Sequence, residues 1–187
     1  LTLLENGKGN YVPTIWGSNK DEGSIFIPLA ALIVKGGSYP LNSKTLNLTL
    51  LHFFYNNEKK VHDVLNLYPL GDYQNSQDSR AAAILRDCFF SCSMRRGARA
   101  MNSNGVKSWL YHFEFPLENP LYTLFGNFHA SELGFVFDTW VNPLSKESKE
   151  MSNIFQKYWG NFANNGDVNG GGNTIWPHHN KTGDYNI

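Results

Sequence analysis

Gly126-Asn127-Phe128-His129-Ala130-Ser131-Glu132-Leu133-Gly134-Phe135-Val136-Phe137 sets one histidine behind a glycine, a carboxylate three residues later, and then a run of large apolar side chains that require burial. A histidine held this way is either a catalytic base or a satisfied core residue. The choice turns on whether the chain supplies a partner carboxylate and a nucleophile. Just upstream, Val106 to Phe115 alternates Trp109, Tyr111, Phe113 and Phe115 with Leu110, His112 and Glu114, the clearest strand pattern in the sequence. His129 therefore lies on the segment that follows a strand.

A second such segment lies near the start. Val12-Pro13-Thr14-Ile15-Trp16-Gly17 is a short β-rich run closed by glycine, and Asn19-Lys20-Asp21-Glu22-Gly23 follows as a polar turn. Glu22 thus sits where a strand ends, the edge of an open α/β sheet where ligands and catalytic groups collect. A solvated turn pair, Asp21 with Glu22, is the plainer alternative.

Between these two strands the periodicity is helical. Ser24 to Val34 is almost wholly apolar and reads as a buried helix or strand-like segment, while Leu46 to Tyr55 and Glu58 to Tyr68 read as helices, the latter ended by Pro69. Arg80 to about Met101 carries Ile84, Leu85, Cys88, Phe89 and Cys92 at helical spacing, with Asp78 or Ser79 as its expected cap. Its basic end (Arg95, Arg96, Arg99) suits the negative pole of a helix, and Gly105 closes it. Late in the chain Met151, Ile154, Phe155, Tyr158, Trp159 and Phe162 recur at three and four residues, an amphipathic helix with Ser145 as its expected cap. Asn164 to Asn173 follows as a Gly/Asn loop, and no linker or internal repeat divides the chain.

Composition narrows the function classes. With 187 residues, 41% of them hydrophobic, the chain can build one sizeable core. Sixteen basic and sixteen acidic residues cancel, which argues against nucleic-acid or membrane-surface partners. No apolar run approaches the roughly 20 residues needed to span a bilayer. Histidines 52, 62, 112, 178 and 179 lack metal-ligand spacing, so no metal is expected. Sequons at Asn47 and Asn180 suit a secreted or lumenal protein. Cys88 and Cys92, four apart in a helix, read as buried thiols unless one pairs with a cysteine outside this chain.

The local sequence sharpens this reading. Val12-Pro13-Thr14-Ile15-Trp16-Gly17-Ser18-Asn19-Lys20-Asp21-Glu22-Gly23 closely resembles the segment bearing the catalytic glutamate in type-B carboxylesterases, which include the cholinesterases. Phe128-His129-Ala130-Ser131-Glu132-Leu133 with Phe135-Val136-Phe137 resembles the segment bearing their catalytic histidine. Tyr68 to Tyr73, Asp87 to Cys92, Tyr158 to Asp167 and Trp176-Pro177 are similar to that family in the same order. The resemblance implies an α/β fold: residues 1–187 as the C-terminal portion of one carboxylesterase domain, with the last strands of an α/β-hydrolase sheet, their surrounding helices, and the remainder lacking. It implies Glu22 as triad acid, His129 as general base, Glu132 as support behind them, and a small carboxylic ester as substrate with no cofactor. Cys92 matches a position that in many relatives forms a disulfide near the C-terminus, which places its partner outside this chain. Cys88 has no such match and reads as a buried helix residue.

One element is lacking. The triad order of this fold is nucleophile, acid, histidine, with the serine on a Gly-x-Ser-x-Gly elbow, and no such motif occurs in the 187 residues. Gly36-Gly37-Ser38 fails on spacing, and Gly170-Gly171-Gly172 sits in a late surface loop. In the family the nucleophile and the oxyanion hole lie further upstream. The competing expectation is an adhesion or structural relative of the same fold that has lost catalysis. Retention of both Glu22 and His129 favours the enzyme.

Overall fold

The computed structural model describes residues 2–118, 122, 124–140, 144–180 and 186–187. Two strands organise it: β1 (Thr14–Asn19) and β2 (Ser108–Phe113) pair in parallel, in register from Thr14 opposite Ser108 to Asn19 opposite Phe113. Parallel neighbours need a long crossover, and here it consists of helices: α1 (Thr2–Glu5) precedes β1, and α2 (Ile27–Ile33), α3 (Ser43–Phe53), α4 (Glu58–Leu67), α5 (Gln77–Leu85) and α6 (Cys92–Ser103) lie between the strands. After β2 come a short α7 (Leu133–Phe137) and a long α8 (Lys146–Asn165). The last residues return beside β2: Asn186 forms a parallel bridge to Leu110, and Ile187 both donates to the Leu110 carbonyl and accepts from the His112 N–H. β2 is therefore flanked on both sides and β1 is an edge strand among the described residues.

Side chains alternate across this sheet as the period of two requires. On one face Trp16 packs at Gly97 of α6, and the Ser91 hydroxyl, just before α6, donates to Ser18 Oγ at 3.0 Å. On the other, Trp109 joins Tyr158, Val168 and Trp176 in a core beneath α8, and Phe113 joins Leu117 and Phe135. A separate helical core forms among α2 to α5 around Ile27, Leu46, Leu50, Val61 and Ile84. The Trp176 indole also donates to the Leu110 carbonyl at 3.1 Å, which ties the C-terminal loop to β2.

Gly17 is dictated by close approach. A Cβ at this position would lie 1.9 Å from the ring of Tyr111, its register partner on β2. Gly17→Ala must push Tyr111 out of a packed aromatic layer, and we expect a loss of about 1–3 kcal/mol in denaturant unfolding, the range for overpacking a core. A variant as stable as the wild type would show that the tyrosine ring is free to move.

Several local expectations are corrected. β1 starts at Thr14 because Pro13 has no N–H for the ladder, and it runs on to Asn19. Ser24 to Val34 forms a 3₁₀ turn (Ser24–Phe26) and α2, with only Ile27, Ala30 and Ala31 buried while Leu29, Leu32 and Ile33 are exposed. α5 begins earlier than its apolar pattern suggests because Ser76 caps it, accepting from the Ser79 N–H. Asp78 instead accepts from the Leu41 N–H at 2.8 Å. Between α5 and α6 the rod passes through a π-helical stretch, Arg86–Ser91. Its wider turn rotates the apolar stripe off the core, so Cys88 and Cys92 are both exposed, not buried. α6 then extends to Ser103, which leaves the arginines short of its last turn, and Arg96 pairs with Glu5 at 2.7 Å. Ser145 does cap α8, accepting from the Ser148 N–H, and Gly166 ends the helix in the left-handed region.

Candidate active site

Both strands end at the same edge of the sheet, and the loops that leave them are laced together. The ladder continues one step past β1, where the Lys20 N–H donates to the Phe113 carbonyl at 2.9 Å. Asp21 and Asn127 then bond reciprocally: the Asp21 N–H donates to the Asn127 carbonyl at 3.0 Å, and the Asn127 N–H donates to Asp21 Oδ2 at 2.9 Å. Gly126 makes this approach possible. Its φ is +63°, and a Cβ there would fall 2.2 Å from Asp21 Oδ2. The Asn127 amide donates to the Phe115 carbonyl and the Ser24 hydroxyl to the Phe125 carbonyl, each at 2.5 Å.

These ties bring Glu22 and His129 together across 107 residues of sequence. His129 Nδ1 lies 2.7 Å from Glu22 Oε2. The other carboxylate oxygen, Oε1, accepts from the Asn19 N–H at 2.8 Å. The Glu22 side chain is only 6% exposed, whereas that of His129 is 47% exposed. Phe26 and Phe90 pack against the imidazole, with ring centroids 5.6 and 4.7 Å away. Glu132 sits behind the pair: Tyr111 donates to its Oε1 at 3.1 Å and the Asn19 amide to its Oε2 at 2.5 Å.

Burial is the largest influence on the Glu22 carboxyl and pushes its pKa above the ordinary glutamate value. The Asn19 N–H and His129 work against that rise, and the nearby Glu132 adds to it. When ionised, Glu22 can only accept, so the neutral imidazole carries its proton on Nδ1 and turns an unprotonated Nε2 away from the acid. A lone pair fixed on the far nitrogen of a half-exposed ring is what a general base requires.

Of the residues singled out from sequence, Glu22, His129 and Glu132 converge. Cys92 lies apart on α6, exposed. Asn47 is exposed on α3, and Asn180 is half-buried beside residues outside the described set. Asn19, Tyr111, Phe26 and Phe90 were not recognisable as site residues. Asn19 reads as one more turn asparagine, and the only local hint of its role is a polar side chain on the last residue of a buried strand. Among the described residues no cluster of three or more His, Cys, Asp or Glu side chains could hold a metal, and no helix is long and apolar enough to cross a membrane.

The architecture and the sequence have clear parallels among known proteins. A PNB esterase structure superposes with a TM-score of 0.71 at 24% identity, over 97% of this chain and 35% of its own, which relates the fold to α/β-hydrolase esterases. Mouse carboxylesterase 1C is 30% identical over 198 residues, 98% of this chain and 34% of that protein. Lipase 2 of Geotrichum candidum is 30% identical over 92% of this chain and 30% of its own length. Acetylcholinesterase 1 of Caenorhabditis elegans is 29% identical over 96% of this chain and 34% of its own. The chain thus spans about a third of the length of these relatives. The model of the Carboxylesterase family matches residues 1–186, and with that match, nearly end to end, the chain belongs to the carboxylesterase family.

Proposed function

We propose that this chain supplies the acid and the base of a carboxylic ester hydrolase, Glu22 and His129, to a serine and an oxyanion hole carried on polypeptide outside the 187 residues. The observation that carries the reading is the 2.7 Å contact between Nδ1 of a half-exposed His129 and a buried carboxylate. A serine Oγ brought within about 3 Å of Nε2 gives up its proton there as it attacks the ester carbonyl. Nε2 then returns the proton to the leaving alcohol, and water cleaves the acyl-enzyme by the same route. Glu22 holds the ring in the Nδ1–H tautomer and stabilises the imidazolium that forms. The substrate is a small carboxylic ester, and the chemistry needs no cofactor. Residues 1–187 belong in this reading to one carboxylesterase domain.

The same reading includes a secreted or lumenal setting, N-glycosylation at Asn47 and Asn180, and a disulfide from Cys92 to a cysteine outside this chain. Exposure of Asn47 and Cys92 supports it. The sequon at Asn180 extends into residues outside the described set.

A second reading, an adhesion or structural role without catalysis, is favoured by one observation: no Gly-x-Ser-x-Gly occurs in these 187 residues. The test is to read the natural polypeptide upstream of Leu1 and to assay it on an aryl ester. We expect a Gly-x-Ser-x-Gly elbow, turnover by the longer polypeptide, and none by the 187-residue chain alone. Another residue at the serine position, with no turnover, would overturn the enzyme reading.

A further inference from the structure

We infer that Asn19 is the positioning residue of the acid–histidine pair, a role that rests on the reading of Glu22 and His129 just given. Asn19 is fully buried at the end of β1. Its backbone N–H fixes Glu22 Oε1 at 2.8 Å. Its side-chain amide reaches the other loop, donating to the Phe128 carbonyl at 2.8 Å and to Glu132 Oε2 at 2.5 Å, with Ser131 Oγ 3.4 Å away. The residues immediately before and shortly after His129 are thus held by one amide group, while the backbone of the same residue holds the acid. Ala130, just past the histidine, has φ +69°, a left-handed conformation that non-glycine residues adopt only when their surroundings impose it. The contacts on either side of it converge on Asn19.

The remaining atom of the amide strengthens the inference. Asn19 Oδ1 is buried and has no partner among the described residues. A buried acceptor without a partner is unfavourable, so an apolar residue would serve packing better. What the asparagine adds is two donors aimed at three acceptors on the histidine loop. Without them, the Asp21–Asn127 bonds still anchor the loop before His129, but residues 128 to 132 lose their side-chain ties to β1 and the imidazole can turn from Glu22, even though the backbone bond from residue 19 to the acid survives substitution.

The imidazole tautomer reports this geometry directly. In the 187-residue chain labelled with ¹⁵N-histidine, at pH ~9 where imidazoles are neutral, the His129 nitrogen shifts give the Nδ1–H tautomer. The signal is assigned by its absence in His129→Gln. Asn19→Ala is expected to shift the ring toward the Nε2–H form that an unconstrained histidine side chain prefers, with the far-ultraviolet circular dichroism unchanged. Asn19→Ser, whose hydroxyl is too short to reach the Phe128 carbonyl, should do the same. A wild-type tautomer in either folded variant overturns the proposal. So does loss of folding in both, because that is the behaviour of a structural residue rather than a positioning one. Glu22→Gln separates the two layers of argument. If it leaves the tautomer unchanged, the acid–histidine reading fails and this proposal falls with it. If it shifts the tautomer while the Asn19 variants do not, only Asn19 is misassigned.

Discussion

Ester turnover falls on the order of 10⁴- to 10⁶-fold when His129 is replaced by alanine in the serine-bearing polypeptide, while the protein stays folded. The two halves of this expectation have different origins. Loss of activity follows from chemistry: a serine hydroxyl is a poor nucleophile until a base accepts its proton, and the residual rate comes from oxyanion stabilisation and binding alone. Retention of the fold follows from packing. The His129 side chain is about half exposed and meets Phe26 and Phe90 with tilted rings, so its removal opens a surface notch rather than a core cavity. The cost falls on Glu22, a buried carboxylate that loses one hydrogen-bond partner and keeps the Asn19 N–H. A loss of about 1–3 kcal/mol covers that change. Steady-state kinetics on an aryl ester, paired with a denaturant titration, measure both. Turnover within tenfold of the wild type would show that the proton goes elsewhere.

How much of this was legible in the sequence differs by the range of the interaction involved. β2 is visible because an aromatic side chain recurs at every second position from Trp109 to Phe113, and α8 because its apolar residues recur at three and four; both are one-element patterns. The cap of α8 at Ser145 is equally local. The centre of the helix from Gln77 to Ser103 is not legible in its pattern, since a π-helical turn changes the phase of the stripe without changing its composition. Cys88 and Phe89 consequently face outward although their spacing after Ile84 and Leu85 looks continuous. Asp78 was a reasonable cap by residue type, yet its carboxylate is engaged by Leu41, 37 residues away.

The site shows the same division. Each of Glu22 and His129 could be placed on a loop after a strand, but nothing in their spacing says that they touch. Parallel register does: with Asn19 opposite Phe113, the loops leaving both strands emerge side by side. The pairing of Glu22 with His129 is legible only through the resemblance of both segments to those of a known family. Asn19 escaped because its partners lie 109 to 113 residues downstream, and an asparagine in a turn has a sufficient local explanation. The alternation places Tyr111 on a strand face, but nothing in it signals that the hydroxyl reaches Glu132.

Glu22→Gln separates the electrostatic part of the acid's role from its steric part, and its effects on rate and stability run in opposite directions. Glutamine has nearly the same shape and can still meet the Asn19 N–H, but its amide can donate to Nδ1. The ring is then free to take the tautomer whose Nε2 bears the proton and cannot accept one from serine. A fall in kcat of about 10⁴-fold with little change in KM is expected, as for the equivalent change in other triads. Combined with His129→Ala the substitution should add almost nothing, since the two residues act as a unit. On stability the sign follows from the raised pKa of Glu22, whose first cause is burial. The native state binds this proton more tightly than the unfolded chain, so the stability linked to it is present below the ordinary glutamate value and is lost as pH rises through the higher native value. Glutamine does not titrate. The variant should therefore gain on the wild type in Tm as pH climbs through that window, the gap widening and then levelling once the native value is passed. A gap that narrows with rising pH would mean that the Asn19 N–H and the imidazole outweigh desolvation and hold Glu22 as a stabilising ion. Should that be so, the acid would contribute to the fold as well as to the chemistry, and the slow variant would also be the weaker one at neutral pH.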